Sequence, residues 1–113
     1  MAWAPRKGAE DLAAYAVAAV VYSSCALNHL ERAFEFLAQT DPSAALNATT
    51  AIQSAVSTLA AHPLIGRRIE GEIRELVISF GKSGHLALYR FIPHLDVVRV
   101  LAIRHQRELD YPE

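Results

Sequence analysis

The sequence predicts a small α+β domain: two antiparallel helices packed on one face of a small, mainly antiparallel four-stranded sheet. Three observations carry this reading. Composition shifts near His62-Pro63, with eighteen of the twenty alanines before it and ten of the fifteen Val and Ile residues after it. Alanine favours helix and β-branched residues favour strand. Apolar residues recur at helical intervals in the first half, and short apolar runs separated by turn residues fill the second.

The elements follow in chain order. Leu12–Tyr22 is an unbroken apolar run, too short to cross a bilayer as a helix. Arg6 and Lys7 before it and Ser23-Ser24-Cys25 after it have the outline of an export signal. Glu10 and Asp11 put negative charge where such signals avoid it, so a buried strand is expected instead, at an edge or beside the last strand. Ser23 or Ser24 caps a helix whose Leu27, Leu30, Phe34 and Leu37 form an apolar stripe. Asp41-Pro42 supplies the next N-cap, with proline at the first helical position, where its missing N–H costs nothing. Ala45, Thr49, Ile52, Val56 and Leu59 then step along a second helix that stops before Pro63.

Three strands come next. Ile73–Phe80 places Leu76, Ile78 and Phe80 on one face, His85–Ile92 places Leu86, Leu88 and Ile92 on one face, and Val97–Arg104 is nearly continuous apolar sequence. Gly81-Lys82-Ser83-Gly84 and Pro93-His94-Leu95-Asp96 are turn sequences joining them as two hairpins. Residues 1–13 read as an N-terminal extension, 14–111 as one domain, and 112–113 as a C-terminal tail.

Size and charge exclude several classes. A chain of 113 residues is one domain, and a formal charge of −1 is not that of a body wrapping nucleic acid by bulk attraction. The single Cys25 forms no internal disulfide and fits a reducing cytoplasm. It reads as a small buried residue. The five histidines show no metal-ligand spacing, so neither metal nor other cofactor is expected. Between Pro63 and Arg107, eight basic residues face four acidic ones, so the second half is the candidate binding region.

The order and wording of these elements resemble the RelE/ParE superfamily of toxins from bacterial type II toxin–antitoxin, or plasmid stabilisation, modules. The resemblance runs through Leu-Glu-Arg-Ala-Phe-Glu-Phe-Leu at 30–37, the His62-Pro63-Leu64-Ile65-Gly66-Arg67 junction, Arg74-Glu75-Leu76-Val77-Ile78, Gly84-His85-Leu86-Ala87-Leu88-Tyr89-Arg90 and Val98–Arg107. It spans roughly Tyr15 to Tyr111. The His-Pro-x-x-Gly-Arg junction and the Leu-Tyr-Arg strand are its most specific pieces. The resemblance implies a cytoplasmic growth inhibitor with a cognate antitoxin as partner, no membrane association, and assembly as a homodimer or a hetero-oligomer with the antitoxin.

Two mechanisms occur in the superfamily: cleavage of messenger RNA on the ribosome by RelE-like members, and poisoning of DNA gyrase by ParE-like members. Cleavage needs a proton acceptor, cations for the phosphorane and a proton donor. The places where RelE-like members carry a lysine and an arginine on the central strands fall here at Val77 or Ser79 and at Leu86, which favours the ParE-like reading. If the chain is RelE-like, Arg90, His105, Arg107 and Tyr111 are the catalytic candidates. Arg67, Arg68, Arg74 and Arg104 are the candidates for binding target or antitoxin, with Arg67 and Arg68 in a basic loop. Whether the chain is an enzyme stays open at this level, as does a non-toxic role in operon autoregulation.

Overall fold

The computed structural model describes residues 17–80 and 83–106. Strand β1 (Ala19–Tyr22) leads into helices α1 (Ser24–Ala38) and α2 (Pro42–Ser57), and a 3-10 turn (Thr58–Ala60) ends the helical half. Strands β2 (Arg67–Glu70), β3 (Ile73–Phe80), β4 (Ser83–Ile92) and β5 (Val97–His105) complete one five-stranded sheet in the order β1-β5-β4-β3-β2. The β2–β3, β3–β4 and β4–β5 pairs are antiparallel, and β1 joins β5 in parallel.

The expected four strands are thus five. Arg67-Arg68-Ile69-Glu70 forms a hairpin strand with β3 and is not a basic loop; its residues are all exposed, so no apolar alternation marks it. The first strand begins only at Ala19, and the part of its apolar run before Val17 lies outside the described residues.

The helices start as their sequences dictate. Asp41 accepts from Ser43 N and Ala44 N, with Pro42 opening α2. Ser23 Oγ accepts from Ala26 N at 3.0 Å and donates to the Leu101 carbonyl at 3.0 Å, capping α1 and fastening it to β5. Ser23→Ala is expected to cost about 1–2 kcal/mol, read as a lower urea midpoint. Ser23→Thr, which keeps the hydroxyl, should stay close to wild type; equal midpoints for the alanine variant would remove this role.

The predicted stripe is buried at Ala45, Ile52 and Val56 of α2 and at Leu59 of the 3-10 turn, with Thr49 half-buried. In α1 the inward residues are Ala26, His29 and Leu30, whereas Leu27 is 51 % exposed. One core joins Ala26, Leu30, Ile52, Val56 and Leu59 to Ile78, Ala87, Tyr89, Val98, Val100 and Ile103 on the helix-covered side of the sheet, with Tyr22, Leu76 and Phe91 packed against it. Strand β4 therefore turns Ala87, Tyr89 and Phe91 inward, and the predicted set Leu86, Leu88 and Ile92 lies on the opposite face. Both rows of this strand carry large or apolar side chains, so periodicity alone does not choose between the two faces.

The turns use left-handed backbone where the sequence offers Gly or Asp. Gly71 between β2 and β3 and Asp96 between β4 and β5 both have φ of 55°. The Asp96 carbonyl then accepts from Ala19 N at 3.0 Å, tying β1 to that turn. No helix of the described residues is long and apolar enough to cross a membrane.

Candidate functional site

The two most specific sequence pieces meet in space. Tyr89, fully buried in β4, accepts from the Gly66 N–H through its hydroxyl at 2.8 Å. Burial pushes the Tyr89 phenol above its ordinary pKa, against the opposing pull of the Gly66 bond and the nearby Arg74 guanidinium. Arg74 Nη1 donates to the carbonyls of Leu64 and Gly66 at 3.1 and 2.8 Å. The junction before β2 is thereby clamped onto the middle of the sheet.

Neighbouring Arg74 and Glu75 point to opposite faces, as adjacent strand residues must. Glu75 is only 4 % exposed and takes a 2.8 Å ion pair from Arg67 on β2, so it is a structural acid and not a solubilising one. Arg68 donates twice to the Gly71 carbonyl, at 3.1 and 2.9 Å, closing the hairpin turn. Arg104 Nη1 donates to the His105 carbonyl at 3.3 Å. Each of the four arginines expected to bind a partner thus makes a contact within the domain, and the guanidiniums of Arg68 and Arg74 hold loops.

The two catalytic candidates among the described residues, Arg90 and His105, do not converge. Arg90 is exposed on the face away from the helices, paired in register with Arg99. His105 stands opposite His85 in register, their rings edge to face at 5.2 Å, in line with Ala87 and Ile103 of the helix-covered face. Arg90 and His105 therefore lie on opposite sides of the sheet, and Arg107 and Tyr111 lie outside the described residues. Val77, 53 % exposed, and Leu86, buried, stand on the outer face; with Ser79 as the alternative to Val77, these are the positions that the resemblance matches to the RelE-like cations. Arg99 was not among the sequence candidates, because only the strand register brings it opposite Arg90.

A second cluster went unread in the sequence. His29 is buried, and its Nδ1 accepts from Ile103 N at 3.0 Å, which leaves a proton on Nε2 to face Cys25 Sγ at 3.4 Å. Cys25 itself is exposed, contrary to its expected burial. The four-residue spacing on one helix face was the available signal. Among the described residues, no group of three or more His, Cys, Asp or Glu side chains is placed to hold a metal ion.

Residues 20–110 match the family model described as "ParE toxin of type II toxin-antitoxin system, parDE". Toxin RelE3 of Caulobacter vibrioides is 43% identical over 67 residues, which is 59% of this chain and 71% of that protein. Among solved structures, the chromosomal ParDE toxin–antitoxin system from P. aeruginosa superposes with a TM-score of 0.65 at 20% identity, covering 79% of this chain and 96% of that one. A mutant of E. coli toxin RelE in the free state gives 0.56 at 13% identity, over 77% and 81% of the two chains. The RelBE2 toxin–antitoxin complex from Mycobacterium tuberculosis gives 0.54 at 17% identity, over 81% and 94%. The structural likenesses are of fold, and the sequence matches supply the family: the chain belongs to the ParE toxin family and is a RelE/ParE-superfamily toxin of a type II toxin–antitoxin system.

Proposed function

We propose that this toxin arrests growth in the cytoplasm in the ParE-like manner, by binding a protein target such as DNA gyrase, and that a cognate antitoxin neutralises it by occupying its surface. The observation that carries this is the separation of Arg90 from His105. Cutting RNA requires a proton acceptor and cations around one phosphate, yet Arg90 and His105 are divided by the sheet, and the resemblance matches the central-strand cations to Val77 or Ser79 and to Leu86. Binding a protein surface has no such requirement. That two of the structural neighbours are toxin–antitoxin systems supports the antitoxin as a partner.

The RelE3 name of the Caulobacter relative favours a second reading, ribosome-dependent cleavage of messenger RNA using Arg90, His105, Arg107 and Tyr111. Expression without antitoxin separates them. The expected result is growth arrest with DNA damage or altered supercoiling and intact transcripts. Transcript cleavage on translating ribosomes, lost in Arg107→Ala or His105→Ala, would establish the second reading instead, and normal growth would overturn both.

A further inference from the structure

Two histidines far apart in the sequence share one cross-strand position. His85 of β4 and His105 of β5 are directly opposed, with ring centroids 5.2 Å apart and ring planes at 80°. The pairing depends on the register shift at Leu88/Tyr89: in the register that holds from Ile92↔Val97 to Tyr89↔Val100, His85 would face Arg104. The extra residue of β5 instead puts a second imidazole there and sends Arg104 to the outer face, opposite Leu86. Re-aiming a side chain is a common use of such an irregularity. His85 is 4 % exposed and His105 is half-buried, so the pair is reached from the His105 side.

The spacing is that of a chelate. Zinc binds imidazole nitrogen at about 2.0–2.1 Å and prefers tetrahedral angles. With the ion in each ring plane on a nitrogen lone pair, a tetrahedral angle separates the two ring centroids by about 5.2 Å, and the right angle of square or octahedral coordination by about 4.5 Å. The observed distance matches the first. Rotation about each metal–nitrogen bond leaves coordination intact, so the angle between the ring planes is compatible with it. Each ring has two nitrogens, and one can hold the ion while the other keeps a hydrogen bond, the usual arrangement around bound zinc. The other close pair of donors, Cys25 and His29, is not arranged for this. His29 Nδ1 accepts from Ile103 N, so the nitrogen facing Cys25 Sγ carries the proton and has no lone pair to give.

We propose that His85 and His105 form an open zinc site that clips the end of β5 to the start of β4. Among the described residues no third His, Cys, Asp or Glu joins them, which leaves two tetrahedral positions for water or for a donor atom of a bound molecule. This distinguishes the site from the closed four-ligand centres that hold small folds together. The two ligands meet only in the folded register, so zinc binding adds to the stability of the folded chain. The site needs neither gyrase nor the ribosome and stands apart from the growth-arrest reading.

The test titrates the full chain, isotope-labelled and stripped of metal with a chelator, with zinc chloride, and follows the imidazole nitrogens by long-range nitrogen–proton correlation. One zinc per chain is expected, with ring-nitrogen shifts at His85 and His105 and none at His29, His62 or His94. His105→Phe keeps a ring against His85 and removes the ligand, so it should bind zinc at least tenfold more weakly, as should His85→Gln. If neither variant folds, the wild-type ring shifts decide. The double variant His62→Gln with His94→Gln should bind as wild type does. Excess zinc should raise the melting temperature of wild type by a few degrees and leave that of His105→Phe unchanged. Cobalt in place of zinc should give the intense visible bands of a tetrahedral ion. Shifts confined to other histidines, affinity of His105→Phe within twofold of wild type, or loss of binding in Cys25→Ser would overturn the proposal. So would the pale spectrum of octahedral cobalt, or no binding at a tenfold molar excess of zinc, which would leave the pair an edge-to-face ring contact. Because the assay needs no toxicity, its outcome does not depend on whether the chain arrests growth.

Discussion

Gly66→Ala is expected to cost about 3 kcal/mol of folding stability, one of the largest effects of any single methyl group in this chain. A Cβ at this position would lie 2.6 Å from Tyr89 Cε1, 2.7 Å from the Tyr89 hydroxyl and 2.9 Å from the Glu75 carbonyl. None of the three can retreat cheaply, because the ring is fully buried and the carbonyl belongs to β3 in the middle of its ladder with β4. The junction must move instead, and in moving it gives up the Gly66 N–H bond to Tyr89 and strains the Arg74 bond to the Gly66 carbonyl.

Tyr89→Phe does not rescue this substitution, since Cε1 remains. Alone, Tyr89→Phe should cost about 1–3 kcal/mol by leaving the buried Gly66 N–H without an acceptor. In the double variant the lost bond is counted once, so its cost should lie well below the sum of the singles. Urea unfolding followed by circular dichroism measures all three. A Gly66→Ala variant within about 0.5 kcal/mol of wild type, the usual range for an inconsequential surface change, would show that the junction yields freely and the account is wrong.

This contact also explains what was legible in the sequence. The His-Pro-x-x-Gly-Arg junction and the Leu-Tyr-Arg strand stand out separately, and the fold reveals that Gly66 of one and Tyr89 of the other are a single packing unit. Signals confined to adjacent residues were readable: the Asp41-Pro42 start of α2, the Ser23 cap, the limits of β3 and the turn at Asp96. Strand β2 was not, because an exposed edge strand needs no apolar pattern and Arg67, Arg68 and Glu70 give none.

The candidate site was less legible for a related reason. Strand periodicity says which residues share a face within one strand, and register between strands says which faces and rows coincide. Arg90 was visible as a cation on a strand. That Arg99 stands opposite it follows from the register that the turn at residues 93–96 sets, and that His105 is on the other side of the sheet depends on the offset at Leu88/Tyr89, where β4 and β5 shift register. No feature of the Val97–His105 sequence marks that offset.

His29→Ala is expected to destabilise the fold by about 3 kcal/mol or more, as the sum of a vacated buried volume and an unsatisfied backbone donor. The donor is the more specific part. Strand β1 pairs with β5 only from Val97 to Val100, so beyond that point this side of β5 has no strand partner among the described residues. Helix α1 completes it with side chains: the Ser23 hydroxyl donates to the Leu101 carbonyl, and His29 Nδ1 accepts from the Ile103 N–H. Two substitutions separate volume from hydrogen bonding. His29→Leu refills the space and leaves Ile103 N–H unpaired, whereas His29→Asn leaves a smaller gap and can present an amide oxygen near the position of Nδ1. Hydrogen exchange should show the Ile103 amide protected in wild type, retaining much of that protection in the asparagine variant, and losing it in the alanine and leucine variants. If leucine preserves both stability and Ile103 protection, the helix is held by apolar packing alone. If only asparagine does, the imidazole is serving as a substitute strand, covering a stretch of β5 that would otherwise be open to pairing with another chain.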